Sequence, residues 1–259
     1  MLAAASERIL SLLPEDASVL AVGGWAAPFD RADWVLEALP FESRGPATGA
    51  GRGERFSGRT WVVRDPCDRE PWPFRDHQFD FAVCVGTLER VRDPIWVCSE
   101  LARVARAGYV EVPTIEAELV FDAEGQGPWL GREDHRWLVA LQGGELVFAH
   151  KPHSIHHDWG LRAQATRLAE EDLRQGLFWD GGLPARERLL VGDDHAAFRA
   201  ELRDRLVARF SPSQAEQRVK QARDAALHGL TAARRPVRRA AEGLRDRLGG
   251  TGGEPPRVD

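Results

Sequence analysis

Carboxylates, glycines and a histidine stand in this sequence where short apolar runs give way to turns. After "SVLAV" (18–22) come Gly23 and Gly24, where backbone can approach a ligand with no side chain between. The run "DWVLE" (33–37) ends on Glu37, an acceptor placed for a ribose diol. "TWVVR" (60–64) leads into "DPCDREPWPF", where either Asp65 or Asp68 could accept a hydrogen bond from an exocyclic adenine amine. Further on, "EDHRW" carries His135, the first candidate for a general base, because imidazole exchanges protons near neutral pH and the loop before it can fold over the strand ends. His150, His153 and His157 follow it as candidates. No metal is expected: His153, His156 and His157 match no familiar ligand spacing, and Cys67, Cys84 and Cys98 form no CxxC pair. A GxGxxG or Walker lysine motif is absent, which favours an adenosine cofactor without a pyrophosphate.

The elements that must position these residues are short and buried in pattern. With "FDFAVCV" (79–85) and "GYVEV" (108–112) there are five strand candidates, each rich in β-branched or aromatic types. Asp93 is a good N-cap and Pro94 suits the first helical position. Ile95, Cys98, Leu101, Ala102 and Ala105 then recur on one helical face, with Gly108 as the stop. Strand, helix and strand over 79–112 make a right-handed crossover, so the fold class is α/β, a Rossmann-like, mostly parallel sheet. Only nine residues separate Gly23 from Asp33, too few for a helical crossover, so the first helix is reduced to a loop. Residues 113–135 read as loop, and 136–142 and 145–150 as a hairpin about Gly143-Gly144. Residues 151–194 give no assignable pattern. After His195, Phe198, Leu202, Leu206 and Phe210 share a helical face, with Pro212 and Pro236 as breaks. The expected organisation is a domain over 1–194 (core 16–114, cap or insertion after strand five over 115–194), a helical C-terminal tail over 195–250 and a disordered terminus over 251–259.

The 259 residues carry a net charge of −5. Residues 1–194 hold 21 basic against 32 acidic side chains, and residues 195–259 hold 14 against 8. An acidic body disfavours nucleic acid as a partner, and acids interleave the tail's arginines as on a solvated helix face. Nothing approaches the run of about 20 apolar residues that crosses a bilayer, and Glu7 and Arg8 interrupt the N-terminal apolar stretch where a signal peptide would be uncharged. No membrane insertion and a cytoplasmic location are expected.

"SVLAVGGWAAPF", "DREPWPFRDHQFDFAVCVGTLERVRDP" and "SELARVARAGYVEVPT" resemble, in order, the successive motifs of class I S-adenosylmethionine-dependent methyltransferases of the type 11 group, over roughly residues 16–114. The resemblance implies S-adenosylmethionine as cofactor. It places Gly23 and Gly24 against the methionine part, Glu37 at the ribose and Asp68 near the adenine. Thr87, Leu88 and Glu89 then lie beside the transferred methyl group. The chain departs from the pattern at Ala21, where the group carries an acid, at Trp25 in place of a third glycine, and at Arg90 in place of a histidine. Trp25 and Trp72 fall where an aromatic face could hold a sulfonium. The function so implied is methylation of a small molecule or glycan intermediate, recognised over 113–160, with Trp129 and Trp137 able to stack on a ring. The alternative is a catalytically inactive methyltransferase fold acting as a binding or scaffolding protein.

Overall fold

The computed structural model describes residues 1–44, 53–120, 130–157, 161 and 169–210. Five short strands, β1 (Val19–Val22), β2 (Trp34–Glu37), β3 (Trp61–Val63), β4 (Phe79–Val85) and β5 (Ala105–Pro113), pair in parallel. Each falls on one of the runs picked out by its β-branched and aromatic residues. The sixth strand of this sheet, β8 (Arg174–Asp180), runs antiparallel to β5, giving the order β3-β2-β1-β4-β5-β8. The chain steps outward from β1 to β3 and returns to β4, so the order reverses between β1 and β4. Ligands bind at that point in such sheets, beyond the carboxyl ends of the strands.

No helix joins β1 to β2; residues 23–33 cross as loop and turns. The helix that would otherwise cover this face is replaced in part by α1 (Ala3–Leu12), whose Ala5 and Ile9 are buried with Val19, Ala21, Val83 and Tyr109. On the opposite face lies α2 (Pro94–Val104), begun by the Asp93 carboxylate, which accepts from the Trp96 N–H at 2.9 Å. It buries Val97, Cys98, Leu101 and Val104 in the larger core cluster.

The end of α2 corrects the sequence reading. The helix passes into β5 at Ala105, and Gly108 lies within that strand between Ala82 and Trp179. A Cβ on Gly108 would stand 2.4 Å from the Ala82 carbonyl oxygen and 2.5 Å from the Trp179 ring, so this glycine makes room for β8 rather than stopping a helix.

After β5 comes the short α3 (Ile115–Glu118), then the hairpin β6 (Trp137–Gln142) and β7 (Glu145–His150), turning as expected on Gly143 and Gly144, both at positive φ. A three-residue strand, β9 (Ala185–Glu187), completes this small sheet in the order β6-β7-β9. Trp137, Val139, Leu146 and Phe148 bury its inner face in the same cluster as α2. The short α4 (Glu170–Leu173) leads into β8, and α5 (Asp194–Phe210) buries Phe198, Leu202 and Leu206 at their four-residue spacing. The rest of the expected tail, its terminus and Trp129 lie outside the described residues. Among the described residues no helix is long and apolar enough to cross a membrane.

Candidate active site

The carboxyl ends of all five parallel strands open on one cavity of about 740 Å³. Gly23, Gly24 and Trp25 enter it from β1, Glu37 from β2, Asp65 from beyond β3, Gly86, Thr87 and Glu89 from β4, and Pro113 and Glu118 from β5 and α3. Arg132 and His135 close it from the segment before β6, and Arg174 from the start of β8.

Gly23 and Gly24 both sit in the left-handed region, at φ 74° and 80°. The space a Gly23 side chain would take is filled by Thr87, whose Oγ1 lies 2.0 Å from the ideal Cβ position. That glycine therefore serves the interlock of two strand-end loops as well as access to the cavity. Glu37 binds the same loop back to the sheet. Its Oε2 accepts from the Trp25 N–H at 3.0 Å and its Oε1 from the Ala38 N–H at 2.7 Å, and the carboxylate keeps lone pairs for a hydroxyl. Trp25 donates its indole N–H to Ser43 Oγ at 2.8 Å.

Asp65 is the acid that β3 delivers to the cavity. Asp68 is not among the cavity-lining residues; it pairs with Arg64 at 3.3 Å, with half its side chain in water. Leu88 is fully buried behind the wall. Trp72 is a core residue, its indole donating to the Pro66 carbonyl at 3.0 Å, and Trp137 likewise donates to the Val91 carbonyl at 2.8 Å. His150 and His153 are exposed and line no part of the cavity.

His135 is 4% exposed and belongs to a buried polar cluster. Its Nδ1 lies 2.5 Å from Glu118 Oε1, and Lys151 Nζ donates to Glu118 Oε2 at 3.1 Å and to the Arg132 carbonyl at 3.1 Å. Burial pushes the Glu118 carboxyl up, but the hydrogen bonds and charges of His135 and Lys151 outweigh it and hold the group below the ordinary carboxylate value. An ionised Glu118 holds a hydrogen on His135 Nδ1, the ring nitrogen that faces it. Nε2 is buried without a hydrogen-bond partner, 3.7 Å from Glu89 Oε1, and Glu89 Oε2 is likewise buried and unpartnered. Burial raises the Glu89 carboxyl, with His135 opposing.

Both residues line the cavity, while these two atoms lie just behind its surface, buried and without partners, which singles the pair out as a candidate site. Sequence reasoning reached His135 and Glu89 but missed Glu118, Lys151 and Arg174. Lys151 carried one signal, being one of only two lysines in the chain.

The donor set suits S-adenosylmethionine. Acceptors at Glu37 and Asp65 answer a ribose diol and an exocyclic amine, and carboxylates on the wall complement a cationic sulfur. The volume lies within the usual range for ligand pockets, about 300–1,000 Å³.

Residues 51–110 match the family model described as "Methyltransferase domain". No curated protein matches the sequence. Among solved structures, a methyltransferase of Aquifex aeolicus is similar at 16% identity and a TM-score of 0.33, over 42% of this chain and 64% of that one. One of Thermotoga maritima is similar at 21% identity and a TM-score of 0.32, over 46% of this chain and 54% of that one. The chain thus spans between half and two thirds of the length of these relatives. Residues 51–110 thus match a methyltransferase domain, and in the structure five parallel strands deliver their ends to one cavity, the arrangement of a Rossmann-like fold.

Proposed function

We propose that the protein transfers a methyl group from S-adenosylmethionine to a hydroxyl or amine of a small molecule or glycan intermediate, with His135 as the general base. The observation that carries this reading is the buried cluster of His135, Glu118 and Lys151, in which His135, a residue of the cavity lining, is backed at Nδ1 by Glu118 and leaves Nε2 without a partner.

The bound cofactor supplies a methyl group on a cationic sulfur. Glu37 and Asp65 hold the nucleoside at the β2 and β3 side of the cavity, and the Gly23-Gly24 loop, fastened by Glu37, faces the methionine part. His135 Nε2 takes the proton of the acceptor as its oxygen or nitrogen bonds to carbon. Glu118 keeps the imidazole oriented and stabilises the imidazolium that results, and Lys151 keeps Glu118 ionised. Glu89, beside Nε2, adds negative potential or a proton according to its state.

Calorimetry with S-adenosylhomocysteine tests the donor half. One site per chain is expected, weakened about tenfold or more by Asp65→Asn, which removes a charged acceptor, and unchanged by Asp68→Asn. Absence of heat and of any thermal shift at millimolar cofactor would favour the inactive scaffold, to which the departure at Ala21 points: that residue is buried in β1 and presents no acid.

A further inference from the structure

Charge changes sign along the mouth of this cavity in the order of the strands. At the β3 and β2 side the charged lining is Asp65 and Glu37, with no basic side chain among the lining residues there. Past β4 it is Arg90, Arg132 and Arg174. Arg174 opens β8 opposite Pro113, the last residue of β5. It thus stands four strand spacings from Glu37, about 19 Å at the usual separation.

The two acids on the basic side do not cancel these arginines. Glu118 is matched by Lys151 at 3.1 Å, and burial opposes ionisation of Glu89.

Arg90 and Arg174 each hold one carboxylate that is not itself part of the lining. Arg90 Nε lies 2.9 Å from Asp134, and Arg174 Nη1 lies 3.3 Å from the buried Glu111. Among the described residues no other bond engages either guanidinium, and both are about 40% exposed. Each keeps further N–H donors for a ligand, in the planar fork that pairs with carboxylate or phosphate oxygens.

On the reading of this cavity as a methyl-transfer site, the acidic end suits the cationic donor, and the other end is built for the opposite charge. We infer that the acceptor is an anion, a molecule bearing a carboxylate or phosphate group that Arg90 and Arg174 bind while its hydroxyl or amine faces His135. The guanidiniums select the acceptor and set its orientation; the proton still leaves through Nε2.

The test is calorimetry on the full chain saturated with S-adenosylhomocysteine, titrated with inorganic phosphate and separately with acetate. One of the two anions is expected to bind, which identifies the group. The double variant Arg90→Gln/Arg174→Gln should weaken that binding about tenfold or more while S-adenosylhomocysteine affinity changes less than about twofold. Arg90→Lys and Arg174→Lys, which keep charge and lose the fork, should fall between and guard against a misfolded double variant. Binding of neither anion, or equal binding by parent and variants, overturns the inference. A protein that binds no S-adenosylhomocysteine overturns the methyl-transfer reading instead, and the same anion titrations without it still decide this one.

Discussion

Glu89 carries a cost that its position explains. Its carboxyl is 2% exposed, one oxygen has no hydrogen-bond partner, and burial raises its pKa above the ordinary 4.5. A group whose folded pKa is raised loses stability as pH climbs from its unfolded value through its folded one, so at neutral pH Glu89 works against the fold. Glu89→Gln should therefore raise stability at pH 7 by about 0.5–2 kcal/mol, a Tm gain of roughly 2–4 °C per kcal/mol for a body of this size. The gain should vanish below about pH 4.5, where the parent is protonated in both states. Thermal melts of both proteins between pH 4 and 8 check this, and parallel curves would remove it. Glu118 runs the other way: its folded pKa is lowered, so its contribution is present at neutral pH and is lost on acidification. His135→Ala, assayed as methyl transfer to an acceptor found by mass spectrometry of co-purified ligand, should lower kcat about 10²–10⁴-fold with S-adenosylhomocysteine binding retained. His135 was legible because a histidine that follows a glycine-rich stretch and precedes a strand is a local pattern. Glu118 and Lys151 were not, since their pairing joins residues 33 apart and either alone reads as an ordinary surface charge.

The loops after β1 and β4 are locked together at the point where strand order reverses. Thr87 occupies the volume a Gly23 side chain would need, and Gly23 holds φ 74°. Gly23→Ala should cost about 1–3 kcal/mol for overpacking and about 1 more for backbone strain. Adding Thr87→Ala should recover the packing part, leaving the strain. Urea unfolding of the two single variants and the double gives the coupling, and additive losses would show that the loops do not interlock. A loss of cofactor binding in a Gly23 variant alone would therefore not prove that the ligand passes this residue. The parallel strands were legible at this scale because each holds a short β-branched or aromatic run, and only β5, which continues straight out of α2, lacks a turn at its start. β8 was not. Its sequence "RQGLFWD" has no β-branched residue, and Gly176 within it is explained only by the Tyr109 ring, whose hydroxyl would lie 2.1 Å from a Cβ there.

The whole chain changes charge and changes fold at different places. Net charge turns from −11 before residue 195 to +6 after it, which suggested a boundary there. The helix α5 begins at Asp194, buries Phe198, Leu202 and Leu206, and sends Arg205 to Glu116 of α3 at 2.6 Å, while Arg188 reaches back to Glu201 at 2.7 Å. Its residues up to Arg209 belong to the same compact unit as the sheet. Composition marks the surface a segment shows to water; burial of one apolar stripe decides what it folds with, and α5 keeps that stripe under a charged exterior. Three buried side chains are each worth about 1.5–3 kcal/mol, so removing residues 195–259 should cost about 4–9 kcal/mol more than removing 211–259, taken as an upper range. The two truncations, melted side by side, measure that difference directly. If they unfold together, α5 does not hold the body, and the charge boundary at 194 is also the boundary of the fold.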